Sequence, residues 1–212
     1  MDKVLARDIY NFKASFPFRD ELRGASFLIT GATGLIGSTL IRCLAALNEG
    51  IHIFAPVRNL AKAKMMFGEN FSGVDFMECN IMDIVDGAFG EIDYIVHGAA
   101  PTASKFFVEN PVETIDTIFN GTKAVLDYAR SHQVKSLVNL SSLEVYGTIL
   151  DDSLPVSENV QGYLDPLSVR SSYPMAKRAA ENLCVAYAKE YGVHVKTARL
   201  TQTTGAGIAK DD

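Results

Sequence analysis

The chain has 212 residues, 48% of them apolar and 21% charged, so it is long enough to bury one full core without covalent staples. Its 20 Lys and Arg against 25 Asp and Glu give a net charge of -5 with no dense basic run, which argues against a surface built for nucleic acid or an anionic membrane. Three scattered cysteines, Cys43, Cys79 and Cys184, form neither a CxxC pair nor a metal-ligand spacing, and they read as reduced thiols of a cytoplasmic protein with no metal site.

The amino terminus carries Asp2, Lys3, Arg7 and Asp8 and so reads as neither a secretory signal nor a membrane span. A helix is predicted over Lys3 to Phe12, followed by a connection from Pro17 to Gly24; these first 25 residues precede a domain over 26–212. Apolar β-type runs then alternate with segments of helical period. Strand Ser26 to Thr30 leads to helix Leu35 to Leu47, strand Ile51 to Val57 to helix Asn59 to Phe67, and a short strand is expected near Val74 to Met77. Strand Ile92 to His97 precedes helix Val112 to Arg130. Strand Val134 to Ser141 precedes a long polar loop, Gly147 to Ser171, then helix Tyr173 to Tyr191 and strand Val193 to Thr201. Near-continuous apolar strands in strict alternation with helices predict an α/β fold, a doubly wound parallel sheet of about six strands with helices on both faces.

The first strand runs into Gly31-Ala-Thr-Gly34-Leu-Ile-Gly37, which opens a helix. The first glycine permits a tight turn, the second a close approach of backbone to a pyrophosphate, and the third close packing at the helix start. Thr33, Leu35 and Ile36 lie between the glycines, where the helix amides would meet the phosphates. In this strand, loop and helix context the motif predicts a dinucleotide site. The second strand ends in Val57-Arg58 rather than an acid; Arg58 could stack on adenine, pair with a 2′-phosphate or stand solvated, so NAD and NADP both stay open.

Tyr173 and Lys177 are four residues apart, hence on one helix face, with Pro174 fitting the first turn. An ammonium near the phenol predicts a lowered phenol pKa and a general acid–base role for Tyr173.

The GxxGxxG spacing, with Ser141-Ser142 ahead of Tyr173 and Lys177, resembles the short-chain dehydrogenase/reductase superfamily from Ser26 to Gly207, which implies a Rossmann fold. Ser141-Ser142-Leu143-Glu144-Val145-Tyr146-Gly147 resembles its extended branch, the NAD-dependent epimerase/dehydratase family of nucleotide-sugar enzymes. The resemblance implies that Ser142 bonds the substrate hydroxyl that Tyr173 deprotonates, that Lys177 holds the nicotinamide ribose, and that hydride passes between a sugar carbon and NAD through a transient 4-keto sugar. Dehydratases of the family carry Asp-Glu where this chain has Leu143-Glu144. Keeping the Glu base without the Asp is similar to UDP-glucuronate decarboxylases, as are Tyr163 to Tyr173 and Lys177-Arg-Ala-Ala-Glu181.

The resemblance further implies cofactor contacts from Asn80 and Ile81 after the third strand, from Gly98-Ala99-Ala100 after the fourth, from Ser141, and from Asn120, matched to the family's Asn-x-x-Gly-Thr. Lys105 and Arg170 are candidates for a substrate carboxylate or phosphate. Arg199 to Gly205 departs from the family's Arg…Asn-x-Tyr/Phe-Gly-Pro pattern, which puts sugar contacts there in doubt. The family pairs through the two long helices, which implies a homodimer. A non-catalytic NAD(P)-binding sensor or scaffold is the alternative. Family members run on for a substrate domain beyond the sixth strand, so the 212 residues are expected to hold the cofactor-binding and catalytic part without most of that domain.

Overall fold

In the computed structural model, residues 2–84, 89–150 and 155–206 are described. Residues 207–212 and 151–154 of the long loop lie outside them.

Six strands form one parallel sheet: β1 (Ser26–Thr30), β2 (His52–Val57), β3 (Val74–Glu78), β4 (Tyr94–His97), β5 (Ser136–Ser142) and β6 (Val195–Leu200). They lie in the order 3-2-1-4-5-6, the doubly wound topology, whose reversal between β1 and β4 opens a crevice at the carboxyl ends of the strands. Strand alternation divides the core between two layers. Phe27 and Ile29 of β1 pack with Ile41, Leu44 and Leu47 of helix α2 (Leu35–Leu47), whereas Leu28 packs with Val125 and Leu126 of helix α5 (Pro111–Ser131) on the other face. α3 (Leu60–Phe67) joins the first layer, and α6 (Ser172–Tyr191) the second through Cys184 and Tyr187.

α1 (Lys3–Ser15) begins where the Asp2 carboxylate accepts from the amides of Val4 and Leu5, and it runs one turn beyond its predicted end. Phe12 and Phe16 pack on the first layer, so the amino-terminal segment is fastened to the sheet domain. β4 is shorter than predicted: Ile92 is buried, but pairing with β1 starts only at Tyr94. α4 (Ser104–Glu109) was not foreseen; its preceding residue, Ala103, offers no side-chain cap to signal it. No described helix is long and apolar enough to cross a membrane.

Candidate active site

The glycine loop is shaped by steric necessity. Gly31 has φ +72°, and a Cβ there would lie 2.6 Å from the Gly98 carbonyl oxygen; one on Gly37 would lie 2.3 Å from that of Gly31. The turns after β1 and β4 therefore touch backbone to backbone, and α2 starts against the first of them. The residue before α2, Gly34, provides no side-chain cap, so the first helix amides are left directed into the crevice.

A buried polar chain ties the two turns to α5. The amides of Gly98 and Ala99 donate to Thr30 Oγ1 at 3.1 Å, and the Thr30 hydroxyl donates to His97 Nδ1 at 2.8 Å. His97 Nε2–H donates to Thr122 Oγ1 at 3.2 Å, and Thr122 donates to the Ile118 carbonyl at 2.6 Å. Because a carbonyl can only accept, the proton order is forced and His97 is the neutral Nε2–H tautomer. Burial first, then the charge of Lys177, hold its pKa down to about 3, from an ordinary 6.5. Above pH 6.5 the imidazole is neutral in both folded and unfolded chains. As pH falls from there toward 3, only the unfolded chain takes up the proton, so stability is lost. At pH 5 the expected loss is about 2 kcal/mol, read as a lower Tm at pH 5 than at pH 7 in the parent, with a smaller difference in His97→Gln.

The carboxyl end of β5 carries Ser141 and Ser142, and a 3₁₀ turn over Leu143–Tyr146 presents Glu144. The Ser142 Oγ accepts from the Glu144 amide at 3.2 Å and lies close enough to the Tyr173 phenol to favour its ionised form. Tyr173 and Lys177 lie on one face of α6, both buried, as their spacing predicts. The expected acidification of the phenol is not found. Desolvation raises the Tyr173 pKa; the nearby Ser142 hydroxyl lowers it, Glu144 raises it and Arg170 lowers it. Lys177 Nζ donates to the Leu140 carbonyl at 2.8 Å and lies 5.9 Å from the phenol ring centroid, and burial brings its own pKa down to about 8.

Arginines from three segments fix the turn that bears Glu144. Arg170 forms a bidentate pair with its carboxylate, both bonds 2.8 Å. Arg178 donates to the carbonyls of Val145, at 2.5 Å, and Gly162, and Arg199 stacks over Tyr146 while bonding Glu181. An antiparallel bridge between Thr148 and Tyr163 ties part of the long loop to this turn. The result is a cleft of about 410 Å³ whose lining includes Glu144, Tyr163, Arg170 and Pro174.

The other residues expected to meet a ligand have these places in the structure. Asn120 is exposed and donates to Asp116 at 3.2 Å. Counting Asn-x-x-Gly-Thr back from Gly121 reaches Ile118, and two residues turn a helix by roughly 200°. Ile118 is indeed buried beside Tyr173, together with Phe107 of α4, whose ring stacks flat on the phenol at 4.2 Å and 8°. Phe107 carried no sequence signal; Ile118 was legible from the motif count. The Ile81 side chain is buried in the α5 layer, leaving only its backbone for a ligand, and the Asn80 carboxamide caps the local turn at Met82. The Gly98 and Ala99 amides donate to Thr30 Oγ1, so this turn would meet a cofactor by close approach and not through those amides. Arg58 is exposed and pairs with Glu113 of α5, at 3.8 Å, and Lys105 pairs with Glu109.

The residues present fit a dinucleotide: the cradle has no room for a Cβ at Gly31 or Gly37, and buried Ser141 Oγ has no hydrogen-bond partner among the described residues.

The family model for the NAD dependent epimerase/dehydratase family matches residues 27–212. The chain is 32% identical to UDP-glucuronic acid decarboxylase 1 of Xenopus tropicalis over 98% of this chain and 50% of that protein. It is equally similar, at 32%, to UDP-glucuronic acid decarboxylase 6 of Arabidopsis thaliana, over 92% and 58%. The chain thus spans about half the length of the curated relatives it matches. A solved UDP-galactose 4-epimerase aligns with TM-score 0.66 and 28% identity, over 82% of this chain and 55% of the other. A Bacillus cereus UDP-glucuronic acid 4-epimerase in complex with NAD shares the fold at TM-score 0.66 and 24% identity, over 83% and 56%.

Proposed function

The chain belongs to the NAD dependent epimerase/dehydratase family, and from that membership we propose that it is the cofactor-binding and catalytic part of an NAD-dependent enzyme that modifies a nucleotide sugar, with a UDP-linked uronic acid as substrate and decarboxylation as the outcome. The observation that carries this reading is the buried Tyr173 and Lys177 on one face of α6, beside Ser142 at the end of β5 and Glu144 on the adjoining turn.

Bound NAD supplies the hydride acceptor and later returns the hydride. It would be held by the amides of Leu35, Ile36 and Gly37 at its phosphates, by Gly31, Thr33, Gly34 and Ala100 along the crevice, and by Ser141, Tyr173 and Lys177 toward the nicotinamide ribose. Tyr173 takes the proton of the sugar C4 hydroxyl while Ser142 orients that oxygen. Lys177, mostly protonated at neutral pH with a pKa of about 8, holds the nicotinamide ribose. A ketone formed at C4 makes the uronic acid a β-keto acid, which loses carbon dioxide. Glu144, held by Arg170, faces the cleft where the neighbouring carbon would be handled, and Leu143 leaves the dehydratase acid position apolar.

Exposed Val112 and Ile115 on α5 and Val185 and Tyr191 on α6 support pairing as a homodimer. The three free thiols agree with a cytoplasmic setting. Incubation with NAD and UDP-glucuronic acid, followed by mass spectrometry and NMR, should yield a UDP-pentose and carbon dioxide. A product of unchanged mass would favour epimerisation. Dinucleotide binding without any product would favour the sensor reading.

A further inference from the structure

The adenosine end of the crevice carries a charge arrangement that the fold does not require. β2 is followed by Arg58, not by a carboxylate that could accept ribose hydroxyls, and the nearest ion-pair partner of Arg58 comes from another element: Glu113, in the first turn of α5. Their side chains are 70% and 54% exposed and 3.8 Å apart, so the pair contributes little to stability. Its location is more telling than its strength.

In a doubly wound sheet the ligand crosses the carboxyl ends of the strands, and its adenosine half lies over the β1, β2 and β3 side. Arg58 follows the end of β2. Met82, in the turn after β3, lines a second cleft of about 470 Å³ with Glu109, Glu113 and Asp116. The charged residues lining this cleft are all acidic. Glu109 is engaged by Lys105 and Asp116 accepts from Asn120, so Glu113 is the one that reaches the Arg58 guanidinium.

We propose that Glu113 is a specificity-determining residue for the dinucleotide: from α5 it supplies the carboxylate that β2 lacks, occupies Arg58, and selects a cofactor with a free ribose 2′-hydroxyl against one with a 2′-phosphate. The proposal rests on the dinucleotide reading above. A phosphate monoester carries nearly two negative charges at neutral pH, and an adjacent carboxylate repels it while withholding the only nearby guanidinium among the residues of this pair. Without Glu113, Arg58 becomes available as a phosphate partner.

The test needs no sugar substrate: NADH and NADPH affinities are measured on the purified chain by calorimetry, with nicotinamide fluorescence as a second signal. The parent should prefer NADH. Glu113→Gln, an exposed isosteric change, should lower the ratio of the NADPH to the NADH dissociation constant by about tenfold, more at low than at high salt. Arg58→Gln combined with Glu113→Gln should cancel most of that gain. A ratio that moves less than about twofold in Glu113→Gln, or a parent that prefers NADPH, overturns the proposal while leaving the dinucleotide site intact. Binding of neither dinucleotide overturns the cofactor reading, and the role of Glu113 falls with it.

Discussion

Replacing Tyr173 with Phe is expected to cut turnover by roughly 10²- to 10⁴-fold while leaving NADH affinity within about threefold of the parent. The substitution deletes one oxygen. The ring keeps its flat stack on Phe107 and its place beside Ile118 and Ala176, so neither α6 nor the glycine cradle has reason to move. What disappears is the phenol oxygen beside Ser142, the group proposed to take the proton of the substrate hydroxyl. Initial rates of UDP-pentose formation, with calorimetric NADH binding and Tm as controls, read the result. Turnover within about threefold of the parent would remove Tyr173 from the chemistry.

The second large effect is expected at the cradle. Gly37→Val should abolish measurable dinucleotide binding and lower Tm by roughly 5 °C, as overpacking that costs about 2 kcal/mol would in a domain of this size. A Cβ at Gly37 would lie 2.3 Å from the Gly31 carbonyl oxygen and 3.0 Å from the Ala32 Cα. All the opposing atoms are backbone, so no side chain can rotate away; the first turn of α2 must shift or the β1 turn must open. Either movement carries the phosphate-facing amides out of line. Thermal unfolding and NADH titration together check this, and retained affinity with unchanged Tm would show that the loop has slack the packing denies.

The sheet was legible in the sequence because its central strands are apolar almost throughout, and strict alternation of strand and helix leaves few topologies. β3, expected near Val74 to Met77, is found over Val74–Glu78. Tyr173 and Lys177 were legible as a pair because one face of a helix is local geometry, whereas Ser142 and Glu144 were implied by the family resemblance. What escaped depended on contacts distant in sequence or on solvation. α4 has no cap signature, and its purpose is tertiary, to lay Phe107 on Tyr173. The Arg58 to Glu113 pair joins residues on two elements that no periodicity relates. The i, i+4 spacing of Tyr173 and Lys177 was read correctly, but the sign of the phenol shift was not, because burial of the ring outweighs a lysine whose ammonium is turned to the Leu140 carbonyl. Asn120 lies on the exposed face of α5, because the motif count that reaches the buried face falls two residues earlier, on Ile118.

The forced order of hydrogen bonds through His97 has a consequence for where protons can travel. Relay along such a chain requires that every bond be able to reverse. Reversal here would ask the amides of Gly98 and Ala99 to accept and the Ile118 carbonyl to donate, and neither can. The buried imidazole is therefore a strut and an insulator, unable to act as a wire, even though it lies directly beneath the cofactor turns. A proton released at the carboxyl ends of the strands therefore has no route through His97 into the core of the sheet.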